Sequence, residues 1–388
     1  MGRGKRAVDS VGKKTLRLSK SCIGVAEKKA VMDVLDGGFL GMGSKVQAFE
    51  IALSKFFGRP AICVVNGTAA LHLALQASGI GRNDEVLVQS LTYVASFQAI
   101  SATGAIPIAC DIDPITCGID LEDASKRITK QTRAIMPVHY AGGVGDLDEI
   151  YTFAEKHGLR VIEDGAHAFG TQYKGQIVGG FGDISCFSFD GIKNITSGEG
   201  GCIVSDDKDV IEKIKNARLL GVENDTEKRF SGSRSWSPDV NFQGWRYHMS
   251  DIMAAIGIVQ LENFGYHKTQ RQELAKGYAN LLSKEPLITF FDHDYNFVVP
   301  HIFVVVLDSS IDREVVMSFL SERGIPAGIH YKPNHTLSFF KNQSSLPLPT
   351  TDGLYPRLLT LPLHPELDFD DLLRIVSVLS EVVNKNAK

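Results

Sequence analysis

Short apolar runs recur along the chain at 61–66, 85–89, 105–110, 133–138, 160–164, 184–189 and 201–205. Between the first five, apolar positions fall into the three-and-four spacing of amphipathic helices, whereas the last two runs follow one another closely. Alternation of this kind predicts an α/β fold, with a large, mostly parallel sheet and helices on both of its faces. Residues 223–247 hold charge, Ser, Trp and Gly without a period and predict a long loop. Ser250 then caps a predicted helix of roughly thirty residues with Ile252, Ala255, Ile256, Val259 and Leu261 at its apolar positions. Beyond it, a strand over 303–307 and helices over 312–323 and 370–383 predict a smaller α+β unit. The expected organisation is a disordered leader at 1–20, a large domain at 21–250, and a linking helix with a small C-terminal domain at 251–388.

Composition narrows the classes open to such a chain. Its 388 residues, 44% of them hydrophobic, suffice for two domains with a large core. A formal net charge of −4, with no basic stripe beyond GRGKRAVDSVGKK at the N-terminus, argues against nucleic-acid binding. That N-terminal segment lacks the apolar core of a signal peptide, and no run approaches the roughly 20 apolar residues of a membrane span. Six cysteines lie mostly inside apolar runs without paired spacing, which predicts reduced core thiols in a cytoplasmic protein.

Candidate chemistry concentrates where strands end. Residues 182–204, GDISCFSFDGIKNITSGEGGCIV, place Lys193 on a short connection between two buried strands. Partial desolvation there lowers a lysine pKa and frees the amine to attack an aldehyde. Ser188 precedes it and Gly198, Glu199, Gly200 and Gly201 follow, offering a hydroxyl and backbone N–H groups to a phosphate. The strand at 61–66 runs into Gly67, Thr68 and a helix, whose N-terminal N–H groups form a second half of that cup. Asp164 ends the strand LRVIED, where open parallel sheets bind ligands, and can pair with a protonated pyridine nitrogen. The same residue also suits a helix N-cap. Tyr93, in LTYVAS, offers a ring to stack on a flat cofactor. A lysine that bonds an aldehyde beside a phosphate cup meets the requirement of pyridoxal phosphate.

The blocks NGTAALHLAL, LTYVAS, VIEDGAHAFG and SFDGIKNITSGEGG together resemble the DegT/DnrJ/StrS family of pyridoxal-phosphate-dependent sugar aminotransferases. The likeness extends from about Gly24, through GGFLGMGSKVQAFE and RYHMSDIMAAIGIVQL, to LPLHPELDFDD, and so over almost the whole chain. It implies the type I fold of aspartate aminotransferase, with Lys193 linked covalently to the cofactor, Asp164 at its pyridine nitrogen and His167 at its phenolic oxygen. Gly67, Thr68 and Ser188 would hold the phosphate, Tyr93 would stack on the ring, and Arg246 would reach the phosphate from the other subunit of a homodimer with shared active sites. No Cys/His/carboxylate cluster of metal spacing accompanies His167, so no metal is expected.

The resemblance also shapes the expected reaction. Branches that dehydrate their sugar carry histidine where this chain has Lys193, so transamination is favoured. The expected substrate is a nucleotide-linked keto-deoxysugar, with L-glutamate as donor, in deoxyaminosugar synthesis such as that for lipopolysaccharide or O-antigen. KNITSGEGG looks more like branches acting at the C4 ketone than like C3 branches. GGFLGMG at 37–43 and His330, Tyr331, Lys332 and His335 in GIHYKPNH are the candidate substrate wall. Asp190 and His248 depart from the family pattern, and Arg246 stands where Asn or Lys is usual. Two alternatives share the fold: a C3-ketosugar aminotransferase, and a regulatory or sensor protein that binds the cofactor without turnover.

Overall fold

The computed structural model describes residues 15–223, 225–233, 239–341 and 346–386. Every apolar run of the large domain forms a strand: β1 (Ala61–Val64), β2 (Glu85–Gln89), β3 (Ile106–Cys110), β4 (Thr132–Met136), β5 (Arg160–Asp164), β8 (Ile184–Ser188) and β9 (Gly201–Ser205). A two-stranded hairpin, β6 (Gln172–Tyr173) and β7 (Gln176–Ile177), lies between β5 and β8. The large sheet runs in the order β1-β9-β8-β5-β4-β2-β3. Only β9 opposes its neighbours, pairing antiparallel with both β1 and β8. All other pairings in this sheet are parallel.

Burial on both sides explains why these strands read as unbroken apolar runs rather than alternating ones. Ile62 and Val64 of β1 pack with the helices Gly67–Ala77 and Lys208–Ala217 in one core cluster, while Ala61 and Cys63 join Phe49 and Leu53 of the helix Ser44–Phe57 in another. The six parallel strands therefore point their C-terminal ends to one edge of a sheet sheathed by helices, and that edge is where α/β sheets bind ligands.

Three local expectations change. Ser250 does cap a helix, its Oγ accepting from Met253 N at 3.3 Å. The expected continuous helix is two, Asp251–Glu262 and Phe264–Leu282, because Asn263 leaves helical geometry (φ −89°, ψ 4°). Within the expected loop at 223–247 a short helix forms, Asp225–Phe230, and Val222 and Leu219 bridge to Val240 and Arg246. Of the expected leader, residues 1–14 lie outside the described residues, but Leu16 is 3% exposed in the core of the smaller unit and donates its N–H to Gly324 O.

The smaller unit carries an antiparallel sheet of β10 (Ile288–Phe290), β11 (Phe303–Leu307) and β12 (Leu358–Leu361), covered by the helices Arg313–Glu322 and Phe369–Asn386. Asp312 caps the first by accepting from Glu314 N and Val315 N. No described helix is long and apolar enough to cross a membrane.

Candidate active site

A cavity of about 470 Å³ opens at the C-terminal edge of the parallel strands. Gly67, Thr68, Tyr93, Asp164, His167, Ser188 and Lys193 all line it, so seven of the eight residues expected at the cofactor converge from four separate strand ends, those of β1, β2, β5 and β8. Arg246 does not: it is exposed and bridges Leu219.

The phosphate end is built by β1 and the helix that follows. Asn66 caps the helix Gly67–Ala77, its Oδ1 accepting from Ala69 N at 2.8 Å, a contact worth about 1 kcal/mol. The leading N–H groups of that helix are left for an anion. Gly67 is required by contact: a Cβ there would lie 2.8 Å from Ser188 Cβ. Its absence lets the helix end and the Ser188 hydroxyl stand side by side.

Lys193 sits on a turn fixed from several sides. Asp190 Oδ1 accepts from Ile192 N at 3.2 Å, and Asp190 O accepts from Lys193 N at 3.0 Å. Asn194 Nδ2 donates to Phe169 O and Val299 O. Asp190, whose identity departs from the family pattern, thus folds the turn with the side-chain-to-backbone bond that Asp makes readily. Burial of the Lys193 amine lowers its pKa to about 8, partly opposed by Asp164 and Asp190 and aided by Arg271. At pH 7.5 roughly a quarter of such amines are neutral, against roughly one in a thousand for an ordinary lysine.

Around the amine lies a set of neutral rings. Lys193 Nζ is 3.3 Å from His301 Nε2, and the rings of His301 and His167 are 4.4 Å apart between centroids. His167 Nε2 is engaged by Tyr331 Oη at 2.9 Å. Burial, then Lys193, holds both imidazoles well below their ordinary pKa. Nδ1 of each is buried and without a protein partner, and His167 Nδ1 is therefore the atom of that ring left for a ligand.

Asp164 is 6% exposed and accepts from Ser96 Oγ at 2.8 Å and Ala166 N at 3.2 Å. No helix follows β5, so Asp164 closes a turn at Ala166 rather than capping a helix, and it lines the cavity. Behind it, Glu163 points to the opposite side of β5 into a saturated cluster of His139, Tyr151 and Ser185.

The four expected substrate ligands divide. His330 and Tyr331 line the cavity. His335 does not, being held between Ser90 Oγ at 2.7 Å and Asp352 Oδ1 at 3.0 Å. Lys332 is exposed outside the cavity. The glycine stretch at 37–43 also lies apart: Gly37, Phe39 and Gly43 line a separate recess with Arg229 and Asp251, and Asp251 Oδ1 accepts from Gly43 N and Val46 N. Burial lowers the pKa of His248 to about 4, and it bridges Val64 beside the phosphate end. His301 was not foreseen, because a lone histidine in the apolar run VVPHIFVVVL reads as a core residue.

These residues fit pyridoxal phosphate. The helix end with Ser188 suits a phosphate, the orphaned His167 Nδ1 a ring oxygen, Asp164 a protonated ring nitrogen and the Lys193 amine an aldehyde.

Comparison with known proteins agrees. The profile of the DegT/DnrJ/EryC1/StrS aminotransferase family matches residues 21–380. The chain resembles Helicobacter pylori PseC, an aminotransferase involved in the biosynthesis of pseudoaminic acid, with a TM-score of 0.88 and 27% identity over 96% of this chain and 100% of that one. It is similar to Spr1654 of Streptococcus pneumoniae in its PLP form, with a TM-score of 0.89 and 28% identity over 96% and 100% of the two chains. The sugar aminotransferase CalS13 of Micromonospora echinospora follows, at 0.86 and 28% over 94% and 99%.

Proposed function

The chain belongs to the DegT/DnrJ/EryC1/StrS aminotransferase family, and from that premise we propose that it converts the C4 ketone of a nucleotide-linked 4-keto-6-deoxyhexose into an amine, with L-glutamate as donor. It is a pyridoxal-phosphate-dependent sugar aminotransferase, which sets aside a non-catalytic sensor role. The observation that carries the reading is the placement of Lys193 on the wall of a cavity whose far end is a helix N-terminus.

When bound, pyridoxal phosphate supplies an aldehyde for the donor amine and a ring that withdraws electrons. Gly67, Thr68 and Ser188 would hold the phosphate, and Asp164 would keep the proton on the ring nitrogen. His167 would offer its unpartnered Nδ1 to the ring oxygen, and Tyr93 would offer its ring for stacking. Lys193 Nζ, the amine lining the cavity, would be the group that takes the proton from the amino-acid carbon and gives it up again, and that serves the sugar in the opposite order. His330 and Tyr331 meet the sugar hydroxyls. All six cysteines are free, which suits the reducing cytoplasm.

The test runs the reaction backwards. With 2-oxoglutarate as acceptor, the protein is expected to deaminate a nucleotide-linked 4-amino-4,6-dideoxyhexose and to reject the 3-amino isomer, read across dTDP-, UDP- and GDP-linked sugars. Turnover of the 3-amino compounds alone would overturn the position of amination.

We also propose that the enzyme is a homodimer with composite sites. Val25, Met32, Leu35, Phe39 and Leu40 are apolar residues exposed within one short stretch of the chain, more than a monomer usually leaves to water, and Tyr266 and Arg246 are exposed as well. A dimer's symmetry lets each Arg246 serve the other cavity. Mixing inactive Lys193→Ala and Arg246→Ala subunits should restore about a quarter of the sites at equal ratio, by the statistics of random pairing across a two-fold interface. A fully active monomer in sedimentation at assay concentration would rule the assembly out.

A further inference from the structure

Among the described residues five arginines are buried, and four have a carboxylate within reach. Arg59 meets Asp206, Arg127 meets Asp123, Arg218 meets Glu50 and Arg313 meets Glu314. The fifth, Arg271, is 2% exposed and has no such partner among the described residues. Leaving a buried cation without a counter-ion is costly, and a fold keeps it where something is gained.

All the hydrogen bonds of Arg271 go to backbone carbonyls of two chain segments. Nη1 donates to His301 O at 3.1 Å and Pro300 O at 3.4 Å. Nη2 donates to Ile192 O at 3.3 Å and Lys193 O at 3.5 Å. Nε is buried and unpaired. The fork therefore ties the Lys193 turn to the segment carrying His301, and Nζ of the first and Nε2 of the second are the two nitrogens found 3.3 Å apart. Arg271 belongs to the helix Phe264–Leu282, which packs on the smaller unit, so the tie also joins that unit to the turn. A planar guanidinium serves this purpose better than an ammonium, since its donors are fixed in pairs.

We propose that Arg271 is a positioning residue for Lys193, a buried clamp that fixes the Lys193 turn against the His301 segment and keeps an uncompensated positive charge behind the amine. The inference rests on Lys193 being the residue that bonds the cofactor. Other charges face the same amine: Asp164 from β5 and Asp190 from the turn favour its ammonium, while His167, His301 and His330 stand near it as neutral rings. Burial lowers the pKa of Arg271 itself to about 10. Against the two carboxylates, burial and Arg271 act in the same direction on Lys193, towards the neutral amine. Losing the cation thus raises the Lys193 pKa, and the pH at which the amine becomes reactive moves upward.

The test needs neither cofactor nor sugar. Competitive acetylation of the cofactor-free protein with acetic anhydride, followed by mass spectrometry of the Lys193 peptide, gives the pH midpoint of amine reactivity. Arg271→Gln is expected to move that midpoint up by about half a pH unit, so that labelling at pH 7 slows about threefold. Arg59→Gln, which removes a buried arginine remote from the cavity, should leave it unchanged. Arg271→Lys keeps the charge but not the fork, and should keep the midpoint while slowing covalent attachment of pyridoxal phosphate. Should Arg271→Gln not fold, Arg271→Met reads the same midpoint with similar volume and no charge. A folded charge-free variant that titrates with wild type would overturn the proposal, and it would do so whether or not the sugar assignment stands.

Discussion

Replacing Lys193 with alanine is expected to take sugar amination to background while the chain still folds. The turn that presents Lys193 is held through Asp190, Asn194 and backbone bonds, and the lysine side chain contributes only the contact of Nζ with His301. Removing it leaves a larger cavity at a site already open, where truncation costs little. The chemical loss is much greater. Positioned proton transfer alone contributes about 10²–10⁴-fold, and Lys193 is the only lysine lining the cavity among the described residues. Borohydride reduction of wild type should give a phosphopyridoxyl adduct on Lys193, and the alanine variant should give none. An adduct on any other lysine would sink the assignment.

Asp164→Asn is expected to lower turnover on the order of 10³-fold while covalent attachment of the cofactor persists, because it removes a preorganised charge rather than the nucleophile. Stability should change little. Asparagine keeps an oxygen to accept from Ser96 Oγ or Ala166 N, so at most one hydrogen bond, worth about 1 kcal/mol, is lost. Thermal melting and borohydride trapping separate these effects from the kinetics. Near-wild-type turnover would mean that the carboxylate does no more than close the turn at Ala166.

Much of this arrangement was legible because its parts are local. Each strand of the large sheet is an apolar run, since parallel strands covered on both faces leave no polar alternation to confuse the reading. Gly67, Ser188 and Lys193 lie within or beside those runs, and strand ends in such sheets are where ligands go. What was hidden is long-range or directional. Asn263 divides the long helix through its backbone angles, although the apolar spacing runs on across it. His301 and Arg271 meet Lys193 only after the smaller unit docks, and neither has a neighbour in sequence that hints at a shared site. GIHYKPNH reads as one polar cluster, yet a few residues of chain suffice to turn His335 towards Ser90 and Asp352 while His330 and Tyr331 face the cavity.

The single antiparallel strand has a consequence for how the chain is made. β9 inserts between β1 and β8, pairing Ala61 with Val204 and Ile184 with Ser205. On a ribosome, β1 and the helix after it emerge long before the strand that seats them, and contacts so distant in sequence form slowly. Until then Gly67 and Ser188 have no common wall, because β9 is what joins the two strands that carry them to the same edge. Nascent chains that end before Gly201 should therefore fail to retain the cofactor.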